Sequence, residues 1–245
     1  MMSRPITPEE VALLEAVRSA RAARYTVAGN RFHLAARQAY RIQEHLGAHR
    51  TVRGYKLGLV SPAKQAQMGI TTPIYGRIYN DMLLKQPVVP LSRFIQPRFE
   101  PEIVILLGQD LPPTAAIQQA QQIIAVAYLG IDLLDSIWAG YRFTLAEVIA
   151  DNASGGGFSR GEQALVWPVK GTLRLFIDEC AVAEGSLEAL GPVEDHLLWL
   201  AHEVGGLKAG QLIYLGSPIS ARPAIPGDVR VEGPQGSWLV ATFVG

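Results

Sequence analysis

The chain of 245 residues carries 22 basic and 22 acidic side chains, and only 18% of its residues are charged. A balanced charge lacks the basic surface that nucleic-acid binders need, so nucleic acid is excluded as an expected partner. The N-terminus has no apolar core of a signal peptide, and the longest apolar stretch contains Asp132 and Asp135, which predicts a soluble protein without a membrane partner.

The single cysteine, Cys180, excludes an intrachain disulfide and a cysteine-based metal site, and it favours a cytoplasmic location. We interpret Cys180 as an inert, packed thiol because small apolar residues surround it in the sequence. With 49% hydrophobic residues and few charges, the chain is also expected to bury surface against other subunits as a homo-oligomer.

The first fifty residues predict a helical arm. Thr7 can cap a helix, Pro8 suits its first position, and Glu10 completes a capping box with Thr7. A second helix is predicted at about 33–46. After Gly47, glycine, proline and β-forming residues become frequent, so residues 51–245 are expected to form a separate strand-rich body.

Short apolar runs separated by Pro/Gly turns predict an α+β body with a curled or closed sheet. The predicted strands cover residues 102–107, 126–134, 172–177, 211–215, 228–232 and 238–243. Helices are predicted at 113–126 and 196–204.

Lys56 lies between apolar residues and two glycines. It is either an edge residue whose head reaches water or a partly desolvated ammonium that faces a cleft. Downstream, Arg77 and Asp81 add a second cation and another acid. The segment 151–157 is either a backbone cradle for an anion or a flexible surface loop.

Glu100 and Glu102 are two residues apart in a predicted strand, so both side chains should project from one face. Alone, such a pair is more often solvated than functional. Asp132 and Asp135, however, lie in the most apolar region of the chain, where unpaired carboxylates are costly. Several acids without clustered histidines or thiolates indicate an oxygen-ligand site suited to Mg²⁺ or Mn²⁺.

Together these motifs resemble the 2-keto-4-pentenoate hydratase and 4-oxalocrotonate decarboxylase family, within the fumarylacetoacetate hydrolase superfamily. The resemblance runs from about residue 39 to the C-terminus, and it is closer to the decarboxylases at residues 68–77 and 141–145. The motifs that carry it, in order, are Gly-Tyr-Lys-Leu-Gly-Leu (54–59), Arg-Phe-Glu-Pro-Glu-Ile (98–103), Leu-Leu-Asp-Ser (133–136), Asp-Asn-Ala-Ser (151–154), Gly-Gln (210–211), Gly-Ser (216–217) and Pro-Gly-Asp (226–228).

The resemblance implies the superfamily's mixed β body of curled sheets, with the helical arm packed outside it. It also implies a Mg²⁺ site made by Glu100, Glu102 and Asp132, although the third ligand in the family is usually Glu. Lys56 and Asp81 match the lysine and aspartate that line the family's pocket and are taken as catalytic.

The remaining candidate residues would bind substrate. Asn152 and Ser154 lie in the anion-cradle loop, and Arg77 is assigned to the distal carboxylate, with an Arg77–Asp81 salt bridge as the alternative.

The activity implied is decarboxylation of 2-oxo-3-hexenedioate to 2-hydroxypenta-2,4-dienoate in meta-cleavage aromatic catabolism. A hydratase acting on that dienoate or a related 2-oxo-alkenoate is the alternative, and a hydrolase that cleaves C–C bonds is a third outcome. From another class, the chain could be a silent partner subunit of a hydratase. A small 2-oxo acid substrate and association with a paralogous hydratase or decarboxylase are also implied.

Overall fold

A computed structural model of the chain describes residues 7–245, so residues 1–6 of the predicted arm lie outside the described part. The described residues form six α-helices and twelve strands, connected in places by single 3₁₀ turns. The helices are α1 (Pro8–Ala23), α2 (Ala36–Leu46), α3 (Pro62–Met68), α4 (Ile117–Gln122), α5 (Leu145–Ala150) and α6 (Val193–Val204). The strands are β1 (Val52–Gly58), β2 (Ile74–Tyr79), β3 (Val88–Pro90), β4 (Pro97–Leu107), β5 (Ile124–Asp135), β6 (Gly155–Arg160), β7 (Thr172–Ile177), β8 (Cys180–Ser186), β9 (Leu212–Tyr214), β10 (Arg222–Pro223), β11 (Gly227–Glu232) and β12 (Trp238–Val244).

Helix α1 begins with the predicted capping box. The Thr7 hydroxyl accepts from the backbone N–H of Glu10, and the Glu10 carboxylate accepts from that of Thr7 at 2.8 Å. Arg41 of α2 also binds this carboxylate. Burial alone would raise the pKa of Glu10, but the Thr7 N–H and the Arg41 guanidinium outweigh it and lower the pKa to about 2. The Glu10 carboxylate of the capping box therefore links α1 to α2 through its ion pair with Arg41.

Replacing Glu10 by glutamine is expected to lower the free energy of unfolding at pH 7 by about 1.5–3 kcal/mol, because hydrogen bonds to a charged group are lost. Since the folded-state pKa lies below the ordinary 4.5, this contribution is present above pH 4.5 and disappears as the pH falls towards 2. Urea unfolding at pH 7 and pH 3 measures it. Glu15→Gln, on the exposed side of α1, is the control, and an equal loss at both pH values would contradict the explanation.

The two N-terminal helices pack onto the residues that follow β5. Apolar side chains of α1 and α2 form one buried cluster with Ile137, Trp138 and α5. The Trp138 indole N–H donates to the Glu147 carbonyl at 3.0 Å within this cluster. The division into an arm, 1–50, and a body, 51–245, stays a prediction.

The larger sheet has the order β2-β1-β9-β4-β5-β6, with β10 added beside β4. Pairing is antiparallel except between β1 and β9. Its two ends approach each other, because Leu83, just beyond β2, forms a bridge with Phe158 of β6. We call the enclosed side, which carries Ile78, Val104, Phe158 and Tyr214, the inner face.

The opposite, outer face of this sheet packs against the second sheet, whose order is β3-β12-β11-β7-β8. Phe99 of β4 meets Phe243 of β12 edge to face, with ring centroids 5.1 Å apart. Helices α4 and α6 cover part of the same core. The main core therefore lies outside the curled sheet, which leaves the inner face available for polar residues. The α+β expectation of curled sheets with helices outside is confirmed.

Outside the charged cluster, a predicted helix and the predicted environment of Cys180 differ from the structure. The helix predicted at 113–126 is only Ile117–Gln122, because the β-forming residues from Ile124 onward enter β5. Cys180 is exposed, so its interpretation as a packed thiol is wrong: it follows a tight turn and begins an edge strand of the second sheet.

Two surface observations bear on expected partners. Within residues 7–245, none of the helices combines the length and apolar character that a membrane crossing requires. Val166 and Trp238 are exposed, which is the kind of surface that subunit contacts bury, but the homo-oligomer stays a prediction.

Candidate metal centre

Four charged side chains converge on the inner face of the larger sheet. Glu100 and Glu102 are two residues apart in β4 and therefore share this face. Asp132 of β5 is the direct partner of Glu100 across the antiparallel pair. Lys56 of β1 is paired with Tyr214 of β9, the strand that separates β1 from β4. The residues come from three strands that are far apart in sequence.

The three acids form a compact cluster, with one carboxylate oxygen from each lying within 4.8 Å of the others. Glu102 and Asp132 are fully buried, and Glu100 is nearly so. The backbone N–H of Gly216 donates to Glu102 Oε2 at 2.9 Å. Glu102 Oε1 and Asp132 Oδ1 have no hydrogen-bond partner within the described residues. Buried carboxylate oxygens without partners are costly, so the cluster needs a further positive or donating group.

Lys56 supplies one positive charge to this cluster. Its Nζ lies 2.9 Å from Asp132 Oδ2 and donates to the Ala153 carbonyl at 2.8 Å. The side chain is 2% exposed, so the alternative of an edge lysine that reaches water is wrong. Burial by itself lowers the pKa of Lys56, but the charges of Asp132, Glu100 and Glu102 outweigh it and raise the pKa above its ordinary value. The ammonium is therefore protonated.

The acids remain in excess of that single cation. Burial raises the pKa of Glu102 well above its ordinary value, and the charges of Asp132 and Glu100 raise it further. Burial also raises the pKa of Asp132, while Lys56 lowers it. Three carboxylates and one ammonium leave a formal charge of −2, which a divalent cation would neutralise. The donor set is entirely oxygen, so the residues fit Mg²⁺ or Mn²⁺.

A strained turn between α5 and β6 brings the Ala153 carbonyl to Lys56. Asn152, Ala153 and Ser154 all have left-handed backbones, with φ of 53°, 51° and 56°. The Asn152 side chain holds the turn, because its Oδ1 accepts from the Arg77 N–H at 2.7 Å and its Nδ2 donates to the Arg77 carbonyl at 2.8 Å. Ser154 Oγ is buried without a hydrogen-bond partner within residues 7–245. Asn152 thus positions the backbone, while the substrate contacts expected of Asn152 and Ser154 stay predictions.

Gly76 lets this turn approach β2. A Cβ at Gly76 would lie 2.4 Å from the Asn152 carbonyl oxygen and 3.2 Å from Lys56 Cγ. We expect Gly76→Ala to displace the turn, to lower stability by about 1–3 kcal/mol and to reduce turnover. Thermal unfolding and kcat measure the effects. Gly161→Ala is the control, since its nearest atom would be 3.7 Å away; equal effects in both variants would count against this role of Gly76.

Arg77 and Asp81 are not brought to the cluster. Arg77 is the β2 partner of Tyr55 and so projects from the outer face, where it donates to Gln43 at 2.6 Å. Asp81 is exposed on the turn after β2 and pairs with Arg50 at 2.8 Å. The placement of Arg77 and Asp81 beside Lys56 is therefore corrected, and the alternative Arg77–Asp81 salt bridge is also wrong.

Asp135 is likewise separate from the acid cluster. It lies three residues after Asp132 in the same strand, so its side chain projects from the opposite face. Arg21 of α1 joins it to Asp151, with distances of 2.9 Å to Asp135 Oδ2 and 2.7 Å to Asp151 Oδ1. This network was not predicted, although Asp135 in an apolar run and the polar Arg21 late in an amphipathic helix both indicated a buried charge in need of a partner.

Tyr214 was also missed. It is fully buried on the inner face and donates to the Ser159 carbonyl at 2.9 Å. Burial raises the pKa of Tyr214 well above its ordinary value, and the charges of Asp132 and Glu102 raise it further. It therefore forms a neutral wall of the site. Its place in the predicted strand 211–215 was the available signal.

Comparison with known proteins gives relatives over most of the chain. No model of a known protein family matches it. It is 34% identical to 4-oxalocrotonate decarboxylase from a Pseudomonas species, over 80% of this chain and 82% of that protein. It is 29% identical to 2-keto-4-pentenoate hydratase from Paraburkholderia xenovorans LB400, over 78% and 76% respectively. The solved 4-oxalocrotonate decarboxylase from Pseudomonas putida G7, complexed with magnesium and adipate, superposes with a TM-score of 0.86 at 26% identity, covering 99% of this chain and 100% of the other.

Proposed function

The chain belongs to the 2-keto-4-pentenoate hydratase and 4-oxalocrotonate decarboxylase family of the fumarylacetoacetate hydrolase superfamily, and on that premise we propose that it is a Mg²⁺-dependent carboxy-lyase. Its proposed substrate is 2-oxo-3-hexenedioate and its product 2-hydroxypenta-2,4-dienoate. The observation that carries the proposal is the buried cluster of Glu100, Glu102 and Asp132, which is short of two positive charges. A similar decarboxylase has been solved with magnesium and a dicarboxylate, which supports both the metal and the substrate class.

Bound to the three carboxylates, a divalent cation supplies Lewis-acid stabilisation for negative charge on the 2-oxo oxygen of the substrate. Lys56 has three N–H groups and uses them towards Ala153 and Asp132, which leaves one able to donate to the 2-oxo acid end. The ammonium stabilises the same developing charge in a buried setting, where electrostatic interactions are strong.

The reaction needs no oxidant or reductant, because electrons move only within the substrate and one proton is taken up. The bond between C5 and C6 breaks, and its electron pair shifts through the conjugated double bond to the 2-oxo oxygen. C6 leaves as CO₂ and the oxygen takes up a proton, which gives the dienol. No organic cofactor is needed, because the conjugated ketone accepts the electrons.

Hydration is the second candidate, supported by the hydratases among the relatives. The same cluster could stabilise an enolate while 2-hydroxypenta-2,4-dienoate gains a proton at C5, gives up its hydroxyl proton to become the 2-oxo-3-enoate, and then takes up water across C3 and C4. Both reactions place negative charge on the oxygen at C2, so the acid cluster and its metal ion do not discriminate between them.

Product identification tests the proposal. The metal-stripped protein, reloaded with Mg²⁺ or Mn²⁺, would be given 2-oxo-3-hexenedioate and, separately, 2-hydroxypenta-2,4-dienoate. Release of CO₂ with formation of the dienol is the expected result. A 4-hydroxy-2-oxo acid formed from the dienoate alone would establish a hydratase. No turnover of either compound would favour the silent-subunit reading, which co-purification with a paralogous hydratase would test.

A further inference from the structure

Arg98 extends the line of charged residues on the inner face. It precedes Glu100 by two residues in β4, and the pairing of β4 with β5 runs without interruption from Pro97 to Leu106. Its side chain therefore leaves the sheet on the same side as Glu100 and Glu102. At a rise of about 3.3 Å per residue, its Cα lies about 6.6 Å from that of Glu100. Arg98 is the next inner-face residue of β4 beyond the acid cluster.

The guanidinium of Arg98 is held in place by an aromatic ring. Its Cζ lies 4.4 Å from the centre of the Tyr141 ring, and the Tyr141 hydroxyl donates to the Gln96 carbonyl at 3.1 Å. Within residues 7–245 it forms no ion pair, whereas Arg21 and Arg50 each bind an aspartate. A half-buried, oriented guanidinium that forms no direct ion pair within residues 7–245 is suited to bind a carboxylate through two parallel hydrogen bonds.

We propose that Arg98 binds the distal carboxylate of a dicarboxylic 2-oxo acid and sets the preference for diacids over monoacids. This inference rests on the proposed function, which places the 2-oxo acid end at the metal cluster and Lys56. A substrate that extends from there along β4 directs its far end towards Arg98. Arg77, the sequence-based candidate for this contact, lies on the outer face.

The chemistry of the reaction predicts which constants the loss of Arg98 changes most. The distal carboxylate leaves as neutral CO₂, so its hydrogen bonds to Arg98 are strongest in the bound substrate and weaken as the C–C bond breaks. Loss of Arg98 should therefore raise Kd and KM for the diacid much more than it lowers kcat. An arginine that only supported the fold would reduce binding of diacids and monoacids alike.

Two unreactive probes of equal length test this. 2-Oxoadipate and 2-oxohexanoate lack the conjugated double bond and differ only in the distal carboxylate. Calorimetry with Mg²⁺-loaded protein is expected to show that Arg98→Met weakens 2-oxoadipate binding by about 10- to 100-fold, as loss of charge-assisted hydrogen bonds implies. Binding of 2-oxohexanoate should change less than about twofold, and Mg²⁺ titration without an organic ligand should be unchanged.

Two further variants complete the experiment. Arg98→Lys keeps the charge and should recover part of the lost affinity for 2-oxoadipate, and it also serves if Arg98→Met does not fold. Arg222→Met removes a charge from β10, beside Phe99 and away from the inner face, and should leave both affinities unchanged. Equal weakening of both probes in the Arg98 variants would overturn the proposal. Failure of the wild-type protein to bind either probe would instead overturn the proposed function.

Discussion

Glu102→Gln is expected to abolish Mg²⁺-dependent turnover while the protein still folds. The variant removes one of the three carboxylates, and the loss of several kcal/mol of Lewis-acid stabilisation lowers kcat by about a thousandfold or more. The glutamine carbonyl can still accept from the Gly216 N–H, which retains the contact that orients this side chain. Calorimetric titration measures the loss of Mg²⁺ affinity, and single-turnover kinetics measure the loss of turnover.

Stability provides an independent readout of the same variant. Because burial and neighbouring acids oppose ionisation of Glu102, its neutral replacement should leave the metal-free protein at least as stable as the wild type. Mg²⁺ should then raise the Tm of the wild type but not of Glu102→Gln, since only a ligand that binds the folded state stabilises it. Glu162→Gln, an exposed replacement, is the control. Full Mg²⁺ stabilisation of the Glu102 variant would remove Glu102 from the metal site.

Lys56→Met is expected to show the opposite pattern in the metal-free protein. Removing one member of a buried ion pair leaves Asp132 uncompensated, so we expect a loss of about 3–5 kcal/mol in the free energy of unfolding. Turnover should fall as well, because the donor proposed for the 2-oxo acid end is absent. Mg²⁺ should recover part of the stability by supplying positive charge to the same acids.

The matched control is Lys208→Met, which removes an exposed lysine paired with Asp110 and should cost no more than about 1 kcal/mol. The double variant Lys56→Met/Asp132→Asn should be more stable than Lys56→Met, because the orphaned charge is removed. If Lys56→Met unfolds no more easily than the control, Lys56 does not compensate the buried acids.

The part of the site that was predictable is local in sequence. Glu100 and Glu102 share a face because strand residues alternate, and that rule needs no knowledge of neighbouring strands. The costly position of Asp132 in an apolar run signalled a partner before any pairing was known. The structure brings these three acids together, while their role as metal ligands stays a prediction.

The part that was not predictable depends on strand register. Arg77 follows Gly76, the partner of Lys56, by a single residue, and that one step places its side chain on the outer face. Arg98 was overlooked because its relation to Tyr141 arises only when the chain after β5 folds back over the start of β4. Closeness in sequence to a charged motif therefore wrongly suggested Arg77 as a substrate contact, and it gave no indication of the role that we propose for Arg98.

Efforts to engineer a more robust form of this protein would meet a conflict at the turn 152–154. Left-handed conformations cost about 1–2 kcal/mol for residues other than glycine, so a screen that ranks variants by heat resistance alone would favour glycine at Ala153. The same change would loosen the carbonyl that fixes the Lys56 ammonium. Selection for thermal stability would therefore favour glycine at this position, whereas selection for activity would favour alanine. A library design should hold residues 152–154 constant.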